Sequence, residues 1–438
     1  MAYGKEDYRR MYVERLGTLD DCLAILRSGD TIWCSNNYNE PRMLFSRLHE
    51  IAPRVENVFV FKSRIGNYPF MTDPAMNGRI NFGNYFYGPH YKEAHPLGNC
   101  TFFPVDLPNY YRTAAAHRPW NVFIAQVSPM TEDGYFHIGM NQTFETELVR
   151  DALEGHKTII LEVNPRLTWM NGAVRIPVEA VTKLCEVDMP EDTTPPIVCT
   201  EDEIAIGHTA ADIISDGDTI QMGIGGITNA IGDFLMRKND LGLHTEQFTS
   251  SMATLISAGV ITGKNKVFDR GLHVGVFADG THELYEFLHN DPNCVLRPGC
   301  EVVNPFEIAR QDHIVAINTC IEMDLTGQVC AESIGPRQFS GSGGGFCFSL
   351  GAFYAAHGKG ILALTSRTKK GVSKIRPMLT PGAVVTHPRN YMHYVITEYG
   401  AVNLKGASVR ERAQAIISVA HPDDRPALTD AAKELGYF

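Results

Sequence analysis

The feature that most constrains this chain is that it repeats itself. Ile25-Leu26-Arg27-Ser28-Gly29-Asp30-Thr31-Ile32 returns as Ile213-Ile214-Ser215-Asp216-Gly217-Asp218-Thr219-Ile220. In both places a helix-like stretch ends in a polar residue and Gly, which suits a helix C′ position, and Thr-Ile opens an apolar run. A second pair follows in the same order: Val122-Phe123-Ile124-Ala125-Gln126-Val127 with Met130 and Gly134, against Val315-Ala316-Ile317-Asn318-Thr319-Cys320 with Met323 and Gly327. A third sets Gly155-His156-Lys157-Thr158-Ile159-Ile160-Leu161 against His357-Gly358-Lys359-Gly360-Ile361-Leu362-Ala363. Three matches in one order, with slowly growing separation, describe two copies of one α/β unit with small insertions.

In the first copy the apolar runs Thr31–Cys34, Val58–Phe61, Val122–Val127 and Thr158–Val163 are short and unbroken, as strands buried on both faces of a parallel sheet are. The expected fold is α/β: two duplicated open α/β domains with mostly parallel sheets. The polar, Pro-rich stretch Met189–Pro196 reads as a linker. It divides the chain into an N-terminal domain over 1–189 and a C-terminal domain over 197–438. A cleft between two such domains is a usual place for a ligand.

Composition removes several classes of function. With 44% hydrophobic and 20% charged residues over 438 positions, the chain is globular and not disordered. Its net charge of −11 makes it a poor general binder of nucleic acid or anionic membrane. A local basic site for an anionic ligand remains open. The ten cysteines stand singly, with no CxxC pair and no His neighbours at zinc spacing, so reduced thiols and no metal are expected. The charged stretch Met1–Arg15 lacks the apolar segment of a signal peptide. No window approaches the roughly 18 apolar residues of a membrane span. The expectation is a soluble, cytoplasmic protein.

The two copies differ where chemistry would sit. After Asp-Thr-Ile the first continues Trp33-Cys34-Ser35-Asn36-Asn37-Tyr38-Asn39, the second Gln221-Met222-Gly223-Ile224-Gly225-Gly226-Ile227-Thr228-Asn229. A strand running through Gly-x-Gly-Gly into a helix presents approachable amides at a helix N-terminus, suited to phosphate or a developing oxyanion. It is also what a simple tight bend looks like, and it is not the dinucleotide fingerprint in order. The next strand holds Phe59-Val60-Phe61-Lys62-Ser63 in the first copy, with Phe61-Lys62 set against Thr245-Glu246 of Leu241-Gly242-Leu243-His244-Thr245-Glu246-Gln247-Phe248 in the second. A carboxylate thus stands at a strand's carboxyl end, where open α/β sheets place ligands. A rim Glu paired with a surface Lys would look the same, and His244 reads equally as a packed histidine. Further on come the glycine cluster Phe339-Ser340-Gly341-Ser342-Gly343-Gly344-Gly345-Phe346 and the run Thr365-Ser366-Arg367-Thr368-Lys369-Lys370-Gly371. A basic, hydroxyl-rich loop suits a phosphate-bearing ligand, or is merely solvated.

Taken together, these residues resemble the acetyl-CoA hydrolase/transferase family, most closely its 4-hydroxybutyrate CoA-transferases. The matching text is Gly223–Ile227, His244-Thr245-Glu246, Glu322-Met323-Asp324-Leu325-Thr326-Gly327-Gln328-Val329, Ser340-Gly341, Val395-Ile396-Thr397-Glu398-Tyr399-Gly400-Ala401 and Ala420-His421-Pro422. The likeness covers nearly the whole chain. It implies a CoA-transferase-like fold and a CoA-transferase in which Glu246 is the catalytic residue, forming a covalent glutamyl-CoA thioester. It implies CoA, as substrate and with no metal, bound along Gly223, Ile224, Gly225, Gly226 and Ile227, near Ile321, at Gly344 and at Thr368. The family commonly has Lys at the last position, where this chain has Thr368 followed by Lys369. Gln221, just before the turn, is a candidate side-chain donor to the same oxyanion. The implied substrates are a short acyl-CoA, acetyl-CoA or butyryl-CoA, and a small carboxylic acid such as 4-hydroxybutyrate, butyrate or acetate. A dicarboxylate transferase acting on succinate or itaconate, an acyl-CoA hydrolase and a non-catalytic nucleotide-binding module are the alternatives. Family members are commonly dimers or tetramers, so a homodimer or homotetramer is expected.

Two departures bear on the acid. Gln247 follows Glu246 where the family usually has Met, and Gly343-Gly344-Gly345-Phe346-Cys347 lacks the family's Gln and Asp. The first copy, without glycine turn or nucleophile, is expected to wall the acyl pocket with Asn36–Asn39 and Asn81–Phe86. A core aromatic cluster is the other reading of the latter.

Overall fold

The computed structural model describes residues 3–62, 66–195 and 197–438. They form two compact units. The first runs to Thr194 and takes in Val276–Cys300; the second comprises Pro195–Gly275 and Glu301–Phe438. Val276–Cys300 lies in the second half by sequence, yet the backbone knits it into the first unit. Gln142 N donates to Val276 O at 2.8 Å, Ala278 N to Met140 O at 3.0 Å, Leu296 N to Asn171 O at 2.8 Å and Gly299 N to Gln142 O at 2.9 Å. A boundary drawn at a polar linker cannot register a segment that returns by main-chain pairing.

The first unit is built on strands β1 (Leu16–Gly17), β2 (Thr31–Cys34), β3 (Val58–Phe61), β4 (Ile80–Asn84), β5 (Cys100–Phe102), β6 (Val122–Val127), β7 (Thr158–Val163) and β8 (Lys183–Glu186). They make one sheet in the order β1-β8-β7-β6-β2-β3-β4-β5, every pair parallel. All residues of β2, β3 and β6 are buried, which is why their sequences run apolar without alternation. One core holds Leu26, Ile32, Phe45, Val60, Phe70 and Phe82. A second, aromatic cluster centres on Trp33, stacked on Phe61 at 4.1 Å and set edge-on to Phe144 at 5.3 Å. Tyr85 joins it through Tyr110, 4.5 Å away. Within Asn81–Phe86, therefore, Phe82 and Tyr85 both serve this unit's own core.

The second unit repeats the plan with β9 (Thr219–Met222), β10 (Gly242–Leu243), β11 (Ile314–Thr319), β12 (Lys359–Ala363), β13 (Tyr394–Thr397) and β14 (Gly400–Asn403). The order is β10-β9-β11-β12-β13-β14, parallel except for the β13–β14 hairpin. The run β8-β7-β6-β2-β3 of the first sheet recurs as β13-β12-β11-β9-β10 in the second. The internal repeat is thus a repeat of topology.

Register refines the comparison by one residue. Thr31 pairs with Phe59 and Ile32 with Val60, whereas Thr219 pairs with Gly242 and Ile220 with Leu243. Phe61 therefore corresponds to His244 and Lys62 to Thr245, not to Thr245 and Glu246 as the sequence comparison has it. Ser63, the next residue, lies outside the described residues. A strand of two residues has no apolar pattern by which to set register; its pairing sets it.

In each sheet the strand that Asp-Thr-Ile opens is the point where the order reverses: β2 lies between β3 and β6, β9 between β10 and β11. The crevice beyond the carboxyl end of such a strand is where open α/β sheets bind ligands. Among the described residues no helix is long and apolar enough to cross a membrane.

Candidate active site

The glycine turn follows β9 directly. Gly223 N still donates to Ile317 O, at 2.9 Å, so the chain leaves the sheet only after Gly223. Ile224 is exposed and Ile227 buried. Gly225 is the N-cap of the helix Gly226–Leu235 with φ +115° and ψ −178°, and no side chain caps it. Only glycine adopts that conformation without strain, and the space beside it is empty to 4 Å. The first-turn amides of a helix have no acceptor within the helix itself. Gly226 is glycine for another reason. A Cβ there would collide with the carboxylate of Glu203, whose Oε2 accepts from Thr200 N at 2.8 Å and caps the helix Glu201–Ile213.

Glu246 sits at a bend just past β10, half-buried. Its Oε2 accepts from Gly344 N at 2.9 Å. Gly344 is the N-cap of the helix Gly345–Tyr354. A Cβ on Gly344 would strike Oε2 of Glu246 and lie 2.6 Å from Val303 Cγ1. Two candidates far apart in sequence, the carboxylate and the glycine cluster, are therefore in direct contact.

The segment that carries Glu246 is braced on several sides. His244 N donates to Ile220 O at 3.1 Å and Thr245 N to Val274 O at 3.0 Å. The ammonium of Lys266, fully buried, donates to Leu243 O and Leu272 O at 3.0 Å each. His244 Nε2 bonds to Val302 O at 2.9 Å. Burial, reinforced by the nearby Lys266 ammonium, pushes the imidazole pKa down to about 4. A neutral His244 donates through Nε2, and it is a packed histidine.

Gln221 is engaged across the sheet. Its Nε2 donates to Asn318 Oδ1 at 3.3 Å, and Asn318 Nδ2 returns a bond to Gln221 Oε1 at 3.1 Å. The side-chain donor expected to face an oxyanion is held by Asn318, a residue sequence reasoning did not single out. The signal was present: Asn318 ends an apolar run where the first copy has Ala125.

The remaining motif residues build loops. Ile321 N donates to Cys330 O at 2.9 Å, at the base of the turn made by Asp-Leu-Thr-Gly-Gln. Asp324 accepts from Thr326 N (2.9 Å), Gln328 N (3.0 Å), Thr326 Oγ1 (2.8 Å) and Gln328 Nε2 (2.7 Å), with Gly327 at φ +94°. That motif is a self-capped hairpin. Thr368 closes a second turn: its N donates to Val372 O at 2.8 Å and its hydroxyl accepts from Val372 N at 3.2 Å. Lys369 and Lys370 are exposed at the tip. Arg367 is committed to Asp424, with bonds of 2.9 and 2.6 Å. The Glu398 carboxylate accepts from Ser366 N at 2.8 Å. Among the described residues no group of three or more His, Cys, Asp or Glu is arranged to hold a metal ion.

Residues 280–432 match the acetyl-CoA hydrolase/transferase C-terminal domain. The chain is 34% identical to succinyl-CoA:cyclohexane-1-carboxylate CoA transferase of Geobacter metallireducens, over 98% of each protein. It is 33% identical to 4-hydroxybutyrate coenzyme A transferase of Clostridium kluyveri, over 98% of this chain and 99% of that one. Its fold matches the crystal structure of RipA from Yersinia pestis with a TM-score of 0.91 at 32% identity, over 98% of this chain and 100% of that one. Fold and relatives together define an enzyme of the CoA-transferase class. The chain belongs to the acetyl-CoA hydrolase/transferase family, as its glycine, Thr-Glu and Asp-Leu-Thr-Gly-Gln motifs imply.

Proposed function

We propose that this enzyme moves CoA between a short-chain acyl-CoA and a small carboxylate such as 4-hydroxybutyrate, butyrate or acetate, with Glu246 as the covalent carrier. The observation that carries this reading is the half-buried Glu246 carboxylate held by the Gly344 amide. A hydrogen bond from a backbone N–H favours the ionised carboxylate, which is the form that attacks. One carboxylate oxygen adds to the thioester carbonyl and expels CoA thiolate, leaving a mixed anhydride. The thiolate adds to the glutamyl carbonyl and releases the donor acid, leaving glutamyl-CoA thioester. The acceptor carboxylate then adds to that thioester and frees the thiolate again. Attack of the thiolate on the acceptor's acyl carbon yields the new acyl-CoA and restores Glu246. Covalent catalysis divides one exchange into steps of similar difficulty.

Each step passes through an oxyanion. The uncapped amides at Gly225 and Gly226 suit that charge, and one such donor contributes about 3 kcal/mol. The same helix N-terminus suits a CoA phosphate. At the basic turn the Thr368 hydroxyl accepts from Val372 N and keeps its hydrogen to donate, but the charged, exposed Lys369 makes the stronger contact to phosphate, so we assign that contact to Lys369. A second reading, in which a dicarboxyl-CoA is the donor, is supported by the relative named for succinyl-CoA.

An acceptor panel tests both readings. Acetyl-CoA, butyryl-CoA and succinyl-CoA are each offered small acids, and the CoA products are read by mass spectrometry. Acyl-CoA loss that requires an added acid is transfer; loss without one is hydrolysis. Borohydride should inactivate the wild type only when acyl-CoA is present, by reducing the glutamyl thioester. Glu246→Ala should lose transfer, and full activity in that variant would sink the mechanism.

A further inference from the structure

We propose that Asn318, in its pair with Gln221, is a positioning residue that couples the glycine turn Gly223–Gly226 to the carboxylate of Glu246. The inference rests on the reading of Glu246 as nucleophile and adds a mechanical link that reading does not contain. The pair bridges the adjacent strands β9 and β11, where the order of the second sheet reverses. There Gln221 is in register with Ala316 and Met222 with Ile317, and Asn318 is the next residue on β11. Gln221 and Asn318 are 2% and 8% exposed.

The Asn318 carboxamide stands between the two glycine segments. Its Oδ1 is 3.6 Å from where a Cβ of Gly223 would be and 3.4 Å from that of Gly345. Its Nδ2 reaches Gly345 O at 3.4 Å in addition to Gln221 Oε1. Gly345 follows Gly344, whose amide holds Glu246. A continuous path therefore runs from the turn through Gln221 and Asn318 to Gly345, Gly344 and the carboxylate. Asn318 thus anchors the Gly345 carbonyl in the first turn of the Gly345–Tyr354 helix, and freeing that helix end would let its N-cap, Gly344, shift against Glu246.

The first unit shows that the sheet does not require this pair. The ladder ends there in the same way, with Ser35 N donating to Ile124 O at 3.0 Å, the counterpart of Gly223 N to Ile317 O. In that unit the positions of Gln221 and Asn318 are held by Trp33 and Ala125, both 0% exposed. An indole and a methyl fill the space there, with no amide pair between the two strands. Two buried amides carry a desolvation cost that only mutual hydrogen bonding offsets. Such a satisfied polar pair fixes orientation as apolar packing does not.

The test measures glutamyl-thioester formation in a single turnover with acetyl-CoA, by intact-protein mass and by borohydride trapping. CoA affinity and melting temperature are measured on the same samples. Asn318→Ala should slow adduct formation by roughly 10- to 100-fold, as a displaced hydrogen bond or a shift of an ångström does. CoA affinity should change by less than about threefold on this picture, since the turn's own amides remain. Gln221→Leu, which keeps Asn318, should give a smaller loss of the same kind and keeps the test decisive if Asn318→Ala folds poorly. The double variant should be no slower than Asn318→Ala alone, and the swap Gln221→Asn with Asn318→Gln should recover part of the rate. Adduct formation in Asn318→Ala within about twofold of the wild type, or strictly additive losses, would overturn the coupling. If the wild type itself forms no adduct, the nucleophile reading falls, and the coupling with it.

Discussion

The amide of Gly344 donates to Oε2 of Glu246 at 2.9 Å, across 98 residues of sequence. The contact depends on the absence of a side chain at 344, because a Cβ there would meet the carboxylate and the side chain of Val303. Gly344→Ala should therefore displace the carboxylate and lower kcat by about 100-fold, the scale of losing one well-aimed donor. Melting curves and steady-state rates on the same protein check this; unchanged kcat in Gly344→Ala would mean that the contact is incidental.

The two glycines of the turn should fail differently. At Gly225 the surroundings are open and φ is +115°, so Gly225→Ala should act through backbone strain, costing roughly 1–2 kcal/mol and re-aiming the helix's first amides. At Gly226 the obstruction is the Glu203 carboxylate, so Gly226→Val should also disturb the capping box of the Glu201–Ile213 helix. Turnover should fall in both, with the larger drop in melting temperature in Gly226→Val. Normal turnover and CoA affinity in Gly226→Val would make the turn structural only.

Salt dependence should separate the cations of the basic turn. Lys369→Ala should raise KM for acyl-CoA by a few-fold at low ionic strength and by less at high salt, as exposed charges are screened. Arg367→Ala should instead lower stability, because that guanidinium is tied to Asp424. A KM for Lys369→Ala equal to the wild type at every salt concentration would remove the lysine from CoA binding.

Glu162 makes stability depend on pH. The side chain is fully enclosed in the first unit, and burial raises its pKa from 4.5 to about 7. In the folded protein it is protonated up to about pH 7, while in the unfolded chain it ionises from about pH 4.5. Unfolding between those values releases a proton, so this contribution is complete at low pH and is lost as pH rises through 7. Glu162→Gln should therefore gain on the wild type between pH 5 and pH 8, by on the order of 3 kcal/mol. Melting curves at the two pH values, falling in parallel for both proteins, would refute it.

The parts of this structure legible in the sequence are those fixed by short, mainly apolar runs. β2, β3, β6 and β7 have the limits their sequences suggest, because a central parallel strand is mostly apolar along its length. The order of the repeat survives as the order of the sheets. What escaped depends on contacts across the sheet. The two-residue strand Gly242–Leu243 gives no pattern from which to align Lys62 with Thr245. Nothing in the residues around Gln221 announces that its amide faces Asn318, 97 positions away. Nor does the exposed, hydroxyl-bearing Thr368 reveal that its oxygen accepts from Val372 N within its own turn.

The return of Val276–Cys300 to the first unit has a consequence for how the protein is made. Gln142 gives and takes its main-chain bonds with Val276 and Gly299, so the leading unit lacks part of its framework until Cys300 has left the ribosome. By then the glycine turn and Glu246 have already emerged. Domains that are contiguous in sequence finish in order of synthesis; here the earlier one must wait, nascent and open at one edge, for residues translated after its neighbour has begun. A fragment ending at Thr194 is for the same reason an unfinished unit, with the main-chain partners of Met140, Gln142 and Asn171 missing.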